Sequence, residues 1–169
     1  MAAPVLHLLA GPNGAGKSTL FAAVIGPATR LEFVNADEIA ARRWPDDSEG
    51  RSYDAAAVAT ERRAELLAAR ASFVTETVFS HESKVELVQQ ARDAGYLVTL
   101  HVLLVPEELA VARVAKRVEH GGHAVPEEKV RARFHRLWPL VVEAIGVADT
   151  THVYDNSKIK PAFRLVATF

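Results

Sequence analysis

The sequence predicts one α/β domain, a three-layer sandwich with helices on both faces of a central, mostly parallel sheet of five strands. Three observations carry that prediction. Short runs rich in β-branched residues alternate with longer segments of helical pattern, as strands joined by crossover helices require. A glycine-rich loop directly follows the first of those runs and opens into a helix. The length of 169 residues suits one compact domain. No repeat, low-complexity segment or Pro/Gly/Ser-rich linker divides it, so residues 1–169 are read as a single unit.

The expected strands are Val5–Ala10, Leu31–Asn35, Ser72–Thr77, Leu97–Val105 and Thr151–Tyr154. The first helix opens over Lys17–Val24. Tyr53–Arg70 is rich in alanine, glutamate and arginine, all good helix formers. Ser83–Ala94 stops at Gly95, a residue suited to end a helix. Pro106, followed by Glu107 and Glu108, starts a helix that ends at Gly121-Gly122, and Pro126 starts the last long helix in the same way. There Val130, Phe134, Leu137, Val141 and Ile145 recur at helical spacing. Pro139 inside that pattern is expected to kink or split the helix. The tail, Phe163 to Phe169, suits an antiparallel edge strand.

Composition narrows the functional classes. Twenty Lys and Arg against 21 Asp and Glu leave a net charge of −1, so no global basic field points to nucleic acid or an anionic membrane. The absence of cysteine excludes disulfides, thiolate metal sites and a thiol nucleophile. The N-terminus lacks a basic segment ahead of an apolar one, which argues against a secretory signal. The longest apolar stretch, Tyr96 to Pro106, is too short to span a bilayer. A soluble, cytoplasmic domain is expected.

Gly11-Pro12-Asn13-Gly14-Ala15-Gly16-Lys17-Ser18 fits the phosphate-loop pattern G-x-x-x-x-G-K-[ST]. Its glycines let successive backbone N–H groups turn inward and cradle a phosphate at a helix N-terminus. Lys17 is expected to reach the β- and γ-phosphates of ATP, and Ser18 to offer its hydroxyl to Mg²⁺. Gly11, Asn13, Gly14, Ala15 and Gly16, with Lys17, Ser18 and Thr19, make up the expected nucleotide cradle. No Asn-Lys-x-Asp motif reads guanine, and Leu97–Val105 ends in Val-Pro rather than an acidic pair, so neither a GTPase nor an ABC-type ATPase is indicated.

Asp37 follows the second strand, and ligands of doubly wound sheets gather at the carboxyl ends of strands. There Asp37 suits the base that takes a proton from an acceptor hydroxyl during phosphoryl transfer. Capping the helix that begins near Glu38 is the other role open to it. Thr75-Glu76-Thr77 ends the third strand. A carboxylate between two hydroxyls suits a polyol acceptor, or a plain surface-facing strand end. Arg113 and Arg117 share a helix face, and Arg131 and Arg133 follow across Gly121-Gly122-His123. Two arginine-bearing helices on a glycine hinge, about residues 113–136, describe a lid that closes over the phosphates. The alternative is solvated helix faces. Asn156, in Tyr154-Asp155-Asn156-Ser157, stands where an adenine-contacting loop or an ordinary turn would lie. His101 reads as a satisfied core histidine, and His120 and His123 as lid or loop residues. Trp44 and Trp138 read as packing or substrate-wall residues.

The ordered set resembles the zeta toxin family of P-loop kinases in its short, single-domain form. It comprises the phosphate loop through Thr19, Val34-Asn35-Ala36-Asp37, Phe73-Val74-Thr75-Glu76-Thr77, Arg113 to Val118 leading to Gly121-Gly122-His123, and Tyr154-Asp155-Asn156-Ser157. The set spans roughly residues 5 to 158. The resemblance implies a P-loop kinase-like fold and an ATP-dependent kinase of the 3′-hydroxyl of the amino sugar in UDP-N-acetylglucosamine, held in check by an antitoxin. It implies Lys17 on phosphate, Ser18 on Mg²⁺, Asp37 as base, and Glu76 with Thr77 at the acceptor. Arg117, with Arg131 or Arg133, would act on the transferring phosphoryl group, and Arg113 and Asn156 would flank the nucleotide. The chain is shorter than the larger zeta toxins, so part of the enclosure for a bulky nucleotide sugar is expected to be absent. The rival readings are a kinase for another sugar, nucleotide or antibiotic hydroxyl, and an ATP-binding module without an acceptor.

Overall fold

A computed structural model describes residues 2–119, 125–160 and 162–169. Six strands form one sheet in the order β2-β3-β1-β4-β5-β6: β1 (Val5–Ala10), β2 (Glu32–Val34), β3 (Phe73–Thr77), β4 (Leu97–Leu104), β5 (Thr150–Asp155) and β6 (Arg164–Thr168). The first five run parallel, and β6 pairs antiparallel to β5. The five-strand expectation thus gains the tail strand, which doubles back after the turn at Asn156.

Because helices cover both faces, the central strands are apolar on both sides. Leu6, Leu8, Val98, Leu100 and Val102 belong to a core shared with α4 (Ser52–Ala68), α5 (Ser83–Asp93) and α7 (Glu127–Ile145). Leu9, Val74 and Leu103 pack on the other side with Leu20, Ile25 and Ala110. Those residues come from α6 (Glu107–Glu119) and from a rod that starts as α1 (Lys17–Leu20), widens to a π-helical stretch (Phe21–Ile25) and ends as α2 (Gly26–Thr29). The buried hydroxyl of Tyr96 donates within reach of Leu66 O and Ala71 O, both at 2.9 Å, fixing the end of α4 to the start of β4.

Pro139 does not split α7, which is one helix from Glu127 to Ile145. The proline removes one N–H, yet both it and His135, whose carbonyl loses that donor, are exposed, so water satisfies the group. The proposed hinge, Gly121-Gly122-His123, lies outside the described residues, as does His120. Among the described residues no helix is long and apolar enough to cross a membrane.

The short helix α3 (Ala36–Arg43) settles one ambiguity. Asn35, in extended conformation, is its N-cap: Oδ1 accepts from Asp37 N at 2.7 Å and from Glu38 N at 3.3 Å. Asp37 therefore does not cap the helix; it sits in the first turn, and its carboxylate lines the cleft. Asn35→Ala should cost about 1 kcal/mol, the usual value of such a cap. The check is the urea midpoint of the variant against that of the parent chain.

Candidate active site

The loop from Gly11 to Ser18 leaves β1 and enters the rod at α1. Two glycines explain its shape. Gly14 has φ +76, and a Cβ there would lie 2.6 Å from Ala110 O of α6. Gly16 has φ +94, and a Cβ would lie 2.6 Å from Asn156 Nδ2. Any side chain at either position meets both backbone strain and a neighbour. No side chain caps α1, so its first N–H groups remain available to a ligand. Asn13 adds a buried side-chain oxygen, Oδ1, that has no hydrogen-bond partner among the described residues.

Lys17 is buried and donates to Gly11 O at 2.9 Å and Pro12 O at 3.0 Å. Burial lowers its pKa. The charges of Glu76 and Asp37 push it back up, and that of Arg117 lowers it. Three residues singled out from separate parts of the sequence thus act on Lys17 through space. Ser18 Oγ donates to Glu76 Oε2 at 2.7 Å, a pairing that sequence reasoning missed because it expected Glu76 at the acceptor alone. A hydroxyl and a carboxylate oxygen side by side are the hard donors Mg²⁺ takes. Among the described residues no three His, Cys, Asp or Glu cluster to bind a metal unaided. The residues therefore fit a Mg²⁺ that draws its remaining ligands from phosphate and water, as that ion prefers.

A cleft of about 1000 Å³ joins these groups. Its walls include Lys17, Ser18, Asp37, Glu76 and Thr77, together with Arg113, Arg117 and Arg133. Arg113 Nη1 reaches Gly14 O at 3.5 Å, at the outer limit of a hydrogen bond. Thr77 Oγ1 accepts from Phe79 N at 3.1 Å. Phe79 is fully buried in the left-handed region, φ 67, and that strained turn carries Val78 and Ser80 onto the cleft wall.

Arg131 is placed elsewhere. Its guanidinium binds Glu108 at 2.6 and 3.0 Å, Glu127 at 2.9 Å and Glu107 at 3.2 Å, and it is not among the residues lining the cleft. Three carboxylates compete successfully for this arginine and tie α7 to the start of α6. Of the alternatives Arg131 and Arg133, only Arg133 faces the cleft.

Asn156 is buried against the phosphate loop. Its Nδ2 donates to Ala15 O at 2.8 Å, and its Oδ1 accepts from Phe163 N at 3.4 Å. The side chain thus supports the loop, and Asn156 lines that end of the cleft together with Lys158, Ile159 and Phe163. Asp155 Oδ1 accepts from Ser157 N at 2.9 Å, the turn chemistry expected of this segment. His101 is a satisfied core histidine, bonded to His7 at 3.1 Å and near the Tyr154 hydroxyl at 3.4 Å. Trp138 packs edge-on against Phe134, and Trp44 closes the end of α3.

Sequence reasoning also missed the wall made by α4. Tyr53, Ala56, Thr60 and Arg63 line the cleft. Their spacing of three, four and three places them on one helix face, a signal hidden in a segment that reads simply as a good helix former.

The sheet order and the loop that follows β1 define an α/β P-loop kinase-like fold. The chain belongs to the AAA domain family AAA_33, whose model matches residues 6–139. An uncharacterised protein of Haemophilus influenzae is 28% identical over 125 residues, spanning 73% of this chain and 88% of that one. Among solved structures, one from Chloroflexus aurantiacus J-10-fl has a TM-score of 0.73 at 17% identity, covering 95% of this chain and 92% of its own. The PezAT chromosomal toxin-antitoxin system of Streptococcus pneumoniae gives 0.74 at 16%, covering 99% and 72%. AvrRxo1-ORF1:-ORF2 with ATP gives 0.75 at 18%, covering 99% of this chain and 58% of that one. At these identities the structural likeness concerns the fold.

Proposed function

We propose that this protein is a Mg²⁺- and ATP-dependent phosphotransferase acting on a hydroxyl group of a small molecule. The observation that carries the reading is the meeting of Lys17, Asp37, Glu76 and Arg117 at the phosphate loop, in one cleft. The loop and Lys17 hold the triphosphate. Asp37 takes the proton from the acceptor hydroxyl as its oxygen attacks the γ-phosphorus, the bond to the bridging oxygen breaks, and ADP leaves. Ser18 and Glu76 would hold Mg²⁺, which supplies charge neutralisation across the phosphates. Arg117 and Arg133 line the cleft where their guanidinium groups offset charge on the transferring group.

The acceptor we infer is UDP-N-acetylglucosamine, phosphorylated on the 3′-hydroxyl of its amino sugar, with an antitoxin protein as the partner that restrains the activity. The motif set shared with zeta toxins supports this, as does the structural likeness to a toxin-antitoxin system. A cleft of about 1000 Å³ is at the upper end of small-molecule sites and has room for a nucleotide and an acceptor together. The test measures ADP release with and without UDP-N-acetylglucosamine, followed by mass spectrometry of the sugar nucleotide. Addition of one phosphate is the expected result. ADP release that ignores the sugar nucleotide moves the acceptor to another hydroxyl compound, and no ADP release with any acceptor leaves an ATP-binding module.

A further inference from the structure

Two of the cations that line the cleft stand far along its wall from the phosphate loop's own lysine and have no task in phosphoryl transfer. Arg63 on α4 and Lys84 on α5 are both half-buried, and both line the main cleft and a second cavity of about 510 Å³ between those helices. They stand where the two spaces meet. The sheet order sets Arg63 apart from the nucleotide end of the cleft. Asn156 and Phe163 follow β5, beyond β1 and β4, whereas α4 packs on α3 and β2 at the opposite edge. Asp37 follows β2 and Glu76 ends β3, on the same side of β1 as α4, and both line the cleft with the two cations.

Among the described residues neither cation has a carboxylate partner. Arg62, one residue earlier, is held by Glu32 and Glu65. Arg63 points to a different face and, among the described residues, donates only to Thr60 Oγ1, at 2.8 Å. Among the described residues neither Arg63 nor Lys84 forms an ion pair, although Glu86 lines the second cavity. Burial lowers the pKa of both, and the charge of Arg63 lowers that of Lys84 further. Two like charges held together at half burial without a counter-ion are unfavourable, and an anion that joins them relieves the cost.

We propose that Arg63 and Lys84 form an anion clamp that holds a phosphate or carboxylate of the acceptor, separate from the hydroxyl that receives the phosphoryl group. The inference rests on the phosphotransferase reading above and narrows its substrate class to anionic hydroxyl compounds. The guanidinium offers a planar fork and the ammonium a point charge, a pair suited to either oxyanion. The clamp also fixes which hydroxyl approaches Asp37, because a substrate held at both ends cannot turn in the cleft.

Two measurements on the full chain test it. The first compares matched acceptors, N-acetylglucosamine with its 1-phosphate and its uridine diphosphate ester, and glucose with gluconate, by ADP release. Turnover should favour the anionic member of a set. Arg63→Gln and Lys84→Gln should each raise its KM about 10- to 100-fold, as loss of a charged hydrogen bond does, while kcat moves less than about threefold. Neutral acceptors used equally well, or variants that leave KM unchanged, overturn the clamp. The second uses calorimetry with the phosphate loop saturated by Mg²⁺ and a non-hydrolysable ATP analogue. Inorganic phosphate, pyrophosphate or citrate should bind the parent chain and bind the two variants at least about tenfold more weakly. Preference for phosphates or for citrate identifies the anion, and absence of binding to the parent overturns the clamp. Anion binding without turnover of any acceptor keeps the clamp and removes the phosphotransferase reading. Circular-dichroism melts of both variants separate lost binding from lost folding.

Discussion

Asp37→Asn is expected to slow phosphoryl transfer by about 10³-fold, within the range set by removing a general base. The substitution is isosteric, and the cap of α3 belongs to Asn35, so the helix keeps its start. The loss of one charge from the first turn should cost no more than about 1 kcal/mol of stability. ATP affinity should hold or rise, because a negative charge that acts on Lys17 has been removed from beside the phosphates. Single-turnover transfer, nucleotide titration and urea unfolding of one variant separate these quantities. A rate within a few-fold of the parent's would leave Asp37 a bystander in the first turn.

Acid should weaken the fold through His101, the second large effect. This residue is 5% exposed, and its pKa is pushed down to about 3, first by burial and then by the neighbouring His7 and His152. Its hydrogen-bond partners are His7 and Tyr154, neither of them an acid that would favour the imidazolium. In the unfolded chain the same ring titrates near the ordinary value of about 6.5. Above that pH both states hold the ring neutral and its contribution is constant. As pH falls below about 6.5 the unfolded chain takes up a proton that the folded chain refuses, so stability drops by about 1.4 kcal/mol per pH unit until about pH 3. The full loss is roughly 4–5 kcal/mol, a large share of a typical domain's stability. Urea unfolding at pH 7.5, 6, 5 and 4.5 should show a steeper decline for the parent than for His101→Leu. Parallel curves would mean that the ring titrates alike in both states.

What the sequence revealed and what it hid divide along physical lines. The strand Val5–Ala10, the loop after it and the rod that begins at Lys17 were legible because glycine spacing, apolar run and helix start all demand the same local geometry. The sequence left Asp37 undecided between base and cap, since both roles ask for an acid at a helix start; Asn35, two residues earlier, is an equally good cap and takes that role. Arg131 and Arg133 are indistinguishable in one dimension. Only the packing of α6 against α7 brings Glu107, Glu108 and Glu127 around the first and leaves the second on the cleft. Arg63 and Lys84 lie 21 positions apart on two helices, so nothing local brings them together. Pro139 leaves α7 unsplit, because a proline on an exposed face deprives only a carbonyl that water reaches.

The support of the phosphate loop by Asn156 and Phe163 has a consequence for how the protein comes into being. The loop emerges from the ribosome early, at residues 11 to 18, whereas the amide that holds Ala15 O and the ring that lies against Gly16 follow about 140 residues later. A nascent chain therefore carries its nucleotide cradle long before it has the strut. The bracing of the loop arrives late in translation, with the turn that leads into the antiparallel strand, so prematurely terminated products are left with an unbraced loop.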